Sequence, residues 1–374
     1  MTKSCVLAQH GLSVETDGTL QPCCQFRGRQ QEGHSTHTFL EYSQWREEMN
    51  RLAQDLDCGI EDSRCQQCWH DEKLGYDSLR TVSNRRHRED NSNTDPWHVE
   101  FKLGNFCNLK CIMCSPYSSS SIWSEYLQNK TAYQSVAIAW QPNAMEQKWW
   151  TTPEFAEFSK KILSSVTYLH FTGGEPFMVP SLENMLSAVP DPAQVDLLFV
   201  TNLTMIHDST LELIKQFRSV SFVISLEGTG DKNDYVRFGS DFMLIEQNLK
   251  KIKDTFKDKL ILGVNHTFQH TSIYCLPELI DWCHAHNLHL HFSLHGGEEY
   301  MRINSVPSMD VEQFKSWLAQ STTPDPNVKS YIVNALADYQ YSAELNAKFR
   351  QYTNMLDSIR DNNFDLTFAP SLSQ

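Results

Sequence analysis

From Trp97 onward the chain alternates short apolar runs with longer amphipathic ones. The short runs are residues 97–104 (WHVEFKLG), 165–174 (SVTYLHFTGG), 195–202 (VDLLFVTN), 220–228 (VSFVISLEG), 260–269 (LILGVNHTFQ) and 288–295 (LHLHFSLH). Each is rich in strand formers, and each is followed by a gap long enough for a helix. Repeated strand–helix units predict a parallel sheet with helical crossovers. Helical periodicity marks LPELIDWCHAHN, and beyond residue 300 it marks MDVEQFKSWLAQS and YSAELNAKFRQYTNMLDSIRDNN. STTPDPN between the last two reads as a loop, and DLTFAPSLSQ as a tail. Before Trp97 the clearest signal is DGTLQPCC, a turn feeding a short strand, which lets Cys5 and Cys23 converge as in a hairpin. The tryptophan-rich stretch from Ala137 to Phe155 is an insertion between the first two of these strands; it either covers a site or packs on the sheet. No internal repeat or low-complexity segment is found.

Composition narrows the function. The chain has 374 residues, 40% of them hydrophobic, and a formal charge of −14. That length buries a core without staples. The acidic balance disfavours nucleic acid as a partner. The basic run from Asn84 to Arg88 reads as a solvated connector. No run approaches membrane-spanning length, and the N-terminal stretch lacks a signal-peptide pattern, so a soluble, cytoplasmic protein is expected. In that compartment eleven cysteines are thiols or ligands rather than disulfides.

Clustering sorts the cysteines. Cys275 and Cys283 are scattered and read as small buried hydrophobes. Cys107, Cys111 and Cys114 form C-x3-C-x2-C on one short loop. Structural zinc usually takes two ligand pairs, and no fourth ligand lies near. A thioredoxin-type pair would leave Cys107 idle. The third reading is a [4Fe–4S] cluster with three protein thiolates and one open iron. Nearer the N-terminus, Cys5, Cys23, Cys65 and Cys68 could supply four thiolates, two from the hairpin and two from a C-x2-C turn. By count these suit zinc or a closed [4Fe–4S] cluster equally.

C-x3-C-x2-C, with GGEP at residues 173–176 after the second of these strands, resembles the radical S-adenosylmethionine (SAM) superfamily. The resemblance implies a partial (β/α)6 TIM-like barrel with the site at the C-terminal strand ends. It implies a catalytic [4Fe–4S] cluster on Cys107, Cys111 and Cys114, with SAM completing the fourth iron. Gly173, Gly174 and Glu175 would bind the SAM amino group. Asn202 in TNLT resembles the family's T-N-G segment. Ser225 in SLEG resembles S-x-D-G, with Glu227 standing where Asp is common. Arg237 would pair with the SAM carboxylate, against a bland reading as a surface salt bridge. His266 is either a strand-end contact near the adenine or a structural histidine. Tyr235 and His170 are weaker, substrate-side candidates, and no catalytic base is assigned.

C-x12-G-x4-C from Cys5, followed by Cys65-x2-Cys68, resembles a SPASM or twitch domain and implies a second, auxiliary [4Fe–4S] cluster. Two features depart from that pattern: the segment precedes the barrel, and the second C-x5-C-x3-C half is missing. Cys24 or Cys58 could replace one ligand, and zinc stays open. The expected organisation is a twitch-like domain over 1–92, a barrel over 93–300 and a helical extension over 301–374. The resemblance implies a peptide or protein substrate undergoing oxidation, crosslinking or epimerisation. It also implies an electron donor such as flavodoxin or ferredoxin. Oxidation of a small molecule such as an amino sugar is the second enzyme reading, and RNA modification, opposed by the charge, the third. A non-enzymatic iron–sulfur or zinc regulator is the alternative of another class.

Overall fold

A computed structural model describes residues 3–27, 37–73, 77–86, 95–141, 148–294 and 297–368. The end of the basic run (His87, Arg88), the middle of the tryptophan-rich insertion (142–147), His295 of the sixth run and residues 369–374 of the tail lie outside the described residues.

The fold is α/β. Its strands are β1 (Gly11–Val14), β2 (Leu20–Gln21), β3 (His98–Lys102), β4 (Tyr168–Thr172), β5 (Asp196–Thr201), β6 (Ser219–Ser225), β7 (Leu260–Phe268) and β8 (His289–Leu294). They form an eight-stranded, mostly parallel sheet in the order β2-β1-β3-β4-β5-β6-β7-β8. Every apolar run read as a strand contains one. The N-terminal hairpin is also present, with β1 antiparallel to β2. What the pattern did not announce is that β1 joins the sheet, parallel to β3. All four residues of β1 are buried, so its polar positions carry no exposed-face signal.

The chain forms two compact units, Met1–Phe106 with Ala144–Val200 and His207–Val220, and Cys107–Asn143 with Thr201–Ile206 and Ser221–Gln374. In the first, strand alternation builds an apolar face from Val99, Phe101, Leu169, Phe171, Leu197 and Phe199, all essentially inaccessible. The helix Pro153–Leu163 covers part of it, with Phe155 set edge-on to Phe101 at 5.9 Å. Its start is written locally: Thr152 accepts the Phe155 N–H, and Pro153 takes the first helical position. The opposite face is polar. Register places Ser13 beside Glu100 and Glu100 beside His170, one row across three strands.

The second unit holds β7, β8 and the C-terminal helices. Both late periodic stretches are helices, Ser308–Gln320 and Ala343–Arg360. The loop between them is shorter than its composition suggests, because Pro326 opens a further helix, Pro326–Ala335, capped by the Asp325 carboxylate on the Asn327 N–H. No helix among the described residues is long and apolar enough to cross a membrane.

Candidate functional site

In the first unit, TGGEP follows β4 and zips onto the chain leaving β3. Gly174 N donates to Gly104 O at 3.1 Å and Glu175 N to Phe106 O at 2.7 Å. This explains the glycines. Gly173 has φ +120°, and a Cβ on Gly174 would lie 2.4 Å from Phe106 O. Glu175 is fully buried and its carboxylate accepts the Phe177 N–H at 3.3 Å.

The second unit carries the cysteine loop. Backbone bonds pin it on one side, Lys110 N to Phe238 O (2.8 Å) and Ile112 N to Val236 O (2.9 Å). Side chains pin it on the other, with Ser119 Oγ donating to Leu109 O (2.6 Å) and Ser121 Oγ to Cys107 O (2.7 Å). Cys111 is buried, and Cys107 and Cys114 are half-buried. Cys111 and Cys114 share a hydrogen bond, which with the Arg237 charge brings the Cys111 thiol down to about 6 despite burial and pushes Cys114 well up.

Asn202 belongs to the same unit. Its Nδ2 donates to Asn108 Oδ1 at 3.0 Å and lies 4.0 Å from Cys107 Sγ, while its Oδ1 accepts from Thr204 N and Oγ1. Leu203 follows with φ +55° in the left-handed region, at the position of the glycine in T-N-G. Here a fully buried leucine holds that turn, its N–H on Thr201 Oγ1 and its carbonyl on Asn248. Ser225 ends β6.

Arg237 is buried, which replaces the surface-bridge reading. Its Nη2 donates to Glu227 Oε1 at 2.6 Å and its Nη1 lies 3.9 Å from Cys111 Sγ. Its Nε is buried without a partner among the described residues. A guanidinium with one donor committed, one beside a thiol and one unpaired suits an anionic ligand next to that thiol. Glu227 also accepts the Thr267 N–H at 3.0 Å and sits 3.4 Å from His266 Nδ1. Burial raises its carboxyl to about 7 against the opposing pull of Arg237. Burial, then Arg237, lowers His266 to about 3, so that ring is neutral, with Nε2 2.7 Å from Ser272 Oγ. Tyr235 is committed elsewhere, donating to Asp357 at 2.7 Å and packing on Phe364 and Phe368.

Back in the first unit, Cys5, Cys23, Cys65 and Cys68 line one cavity, with Leu7, Gln25, Phe26, Leu56, Trp69, Leu79 and Arg80 as the rest of its wall. Cys24 and Cys58 are exposed and not part of that lining. Burial raises every lining thiol, Cys5 to about 11 and Cys65 to about 12. Four thiols gathered in an apolar wall fit a group that deprotonates and bridges them. Among the described residues no group of three or more His, Cys, Asp or Glu side chains is set for a single metal ion. Cys275 and Cys283 are buried, as expected of packing thiols.

Of the polar row in the same unit, the sequence offered only His170, as a substrate-side candidate. Ser13 Oγ lies 3.0 Å from Glu100 and 3.1 Å from Glu15, Lys102 pairs with Glu15 at 2.6 Å, and His170 Nδ1 is 3.6 Å from Glu100. The alternation H-V-E-F-K in β3 was the row's only other sequence signal.

Residues 101–272 match the family model described as Radical SAM superfamily. The matched segment includes the cysteine loop, TGGEP, Asn202, Ser225 and Arg237. No curated protein matches the chain. Among solved structures it is similar to Streptococcus suis SuiB bound to S-adenosylmethionine, at 16% identity and a TM-score of 0.39, over 81% of this chain and 61% of that one. It is also similar to SuiB bound to precursor peptide SuiA, at 14% identity and a TM-score of 0.38, over 95% and 78% of the two chains. A third is native anSMEcpe with bound AdoMet and Cp18Cys peptide, at 14% identity and a TM-score of 0.39, over 59% of each chain. The chain thus spans less than two thirds of the SAM-bound SuiB and anSMEcpe chains.

Proposed function

We propose that this chain is a radical SAM enzyme. The observation that carries the reading is the cysteine loop itself: three thiols on one pinned loop, with the partly unpaired Arg237 guanidinium beside Cys111. Cys107, Cys111 and Cys114 would hold a [4Fe–4S] cluster, and Gly173, Gly174, Glu175, Asn202, Ser225 and Arg237 would hold SAM. Bound there, cluster and SAM supply a 5′-deoxyadenosyl radical that abstracts a substrate hydrogen. The chain's own part is electrostatic and steric. Arg237 offers charge to the SAM carboxylate, Glu227 fixes its plane, and Asn202 and Asn108 brace the turn beside Cys107.

Cys5, Cys23, Cys65 and Cys68 would hold an auxiliary [4Fe–4S] cluster, supported by their shared cavity. The domain reading stays as the resemblance implies, with the auxiliary segment over 1–92, the barrel over 93–300 and the extension over 301–374. The substrate class this points to is a peptide or protein, with flavodoxin or ferredoxin as the class of electron donor, in the cytoplasm. That step rests on the resemblance of the cysteine pattern to SPASM and twitch proteins.

The test is anaerobic reconstitution with iron and sulfide, followed by SAM and dithionite. The native protein is expected to hold about eight irons and form 5′-deoxyadenosine. A C107A/C111A/C114A variant is expected to hold about four and form none. A native protein that holds zinc and forms no 5′-deoxyadenosine overturns the reading.

A further inference from the structure

We propose that the C-terminal helix Ala343–Arg360 is a working part of the cysteine-loop centre, with Tyr352 fixing the loop backbone and Arg360 setting its electrostatic potential. The inference rests on the reading of that loop as an iron–sulfur site. It names positioning residues that lie outside the segment matched by the family model.

The geometry lies wholly within the second unit. Tyr352 is buried and donates its hydroxyl to Ile112 O at 2.9 Å. Ile112 sits between Cys111 and Cys114, so the bond fixes the peptide joining two candidate ligands. The other side of that residue is held by Val236 O. The tyrosine is itself braced by Tyr300, ring to ring at 5.4 Å.

Two turns on, Arg360 closes the helix. Its guanidinium reaches both oxygens of Glu125, with Nη2 at 2.8 Å from Oε1 and Nε at 3.2 Å from Oε2. It also lies over the Phe238 ring at 4.8 Å, and Phe238 O is the acceptor that pins Lys110 at the loop's start. Its side chain is only 2% exposed. Its Nη1 is buried without a partner among the described residues. Glu125 is shared with Tyr133 at 2.6 Å and Lys110 at 3.1 Å. Structural economy alone explains this poorly. A buried ion pair gains little net stability over packed apolar groups, and this one adds an unpaired donor to that cost.

Charge held at low dielectric next to a redox group shifts its potential. Reduction adds negative charge. A buried cation favours the reduced form, and a buried carboxylate disfavours it. Arg360 and Glu125 therefore act with opposite signs. Removing one or the other separates an electrostatic role from a purely architectural one, since lost packing carries no sign.

The experiment is an EPR-monitored redox titration of the reconstituted full chain, the loop cluster being identified by the change in its signal on adding SAM. R360Q is expected to move the midpoint potential of that cluster to more negative values, E125Q to more positive values, and R360K to leave it near the native value. Y352F is expected to start with native iron content and lose loop iron faster to a chelator. If R360Q does not fold, the E125Q and R360K measurements still carry the charge test. Shifts of one sign in R360Q and E125Q, or none in either, with iron retained and 5′-deoxyadenosine still formed, overturn the inference alone. A native protein that takes up no cluster on the loop overturns the underlying reading and the inference with it.

Discussion

At the scale of the residue, the chain stores unusual states where the chemistry is proposed. Leu203 is the clearest backbone case. Left-handed geometry costs an L-residue about 1–2 kcal/mol, which glycine avoids. A buried leucine cut to alanine loses about 2–5 kcal/mol. L203A and L203G should both destabilise, but glycine should be the milder by about 1 kcal/mol, reversing the usual order. Urea unfolding of the two variants checks this; alanine as the more stable of the pair would contradict the strained turn.

Glu227 and His266 make a second residue-scale case, in protonation. Glu227 is raised to about 7, so the native state holds its proton more tightly than the unfolded chain does. Its contribution to stability is therefore present at low pH and lost as pH rises toward 7. His266 is lowered to about 3, so the native state binds fewer protons there, and its contribution grows as pH rises through 3 to 6.5. Between about pH 4.5 and 6.5 the two oppose each other. E227Q should unmask the histidine, so stability climbs more steeply with pH across that window. Chemical denaturation at a series of pH values reads it, and an unchanged slope would remove Glu227 from the account.

At the scale of the element, the informative segments are those whose glycines have a steric reason. The strand-end motif after β4 must lie backbone to backbone against residues 104–106. G174A places a methyl where only 2.4 Å separates it from Phe106 O, and no flexible side chain is there to yield. We expect G174A to keep loop iron and to weaken SAM binding at least tenfold, measured by equilibrium dialysis of the reconstituted protein. Native affinity in G174A would show that the loop relaxes at no cost. The apolar strand runs were legible in the sequence because buried parallel strands are written as apolar runs. Helix Pro326–Ala335 was not, because Pro, Asp and Asn in STTPDPN mark turns and helix starts alike.

At the scale of the whole molecule, the auxiliary reading makes a regional prediction. Desolvation in their shared cavity raises all four thiols, so they stay protonated on their own and a cluster that deprotonates them would be tied to local folding. A C65A/C68A variant should lose about four irons. Amide exchange should then speed up in the helices Tyr42–Asp57 and Gln66–Lys73, with little change in Ala343–Arg360. Uniform exchange across all three helices would mean that the four-cysteine cavity is not a local staple.

The sequence by itself determined the strand and helix runs, the three-thiol loop, the two-glycine motif and the set of N-terminal cysteines. Each is a local pattern, because periodicity, spacing and glycine demand are properties of neighbours along the chain. It also allowed Cys5 and Cys23 to converge, since a hairpin is a short-range device, though Cys5 sits before the hairpin, at the start of the helix Val6–His10. Only the tertiary structure decided that β1 joins β3, that Glu227 pairs with Arg237, that Ser13, Glu100 and His170 share a row, and that Tyr352 and Arg360 reach the segment around the cysteine loop. These contacts join residues from separate elements, often far apart in the chain. Their partners are chosen by burial, register and the need to satisfy polar groups away from water, and a local alternation such as H-V-E-F-K marks a face but not the partner it meets.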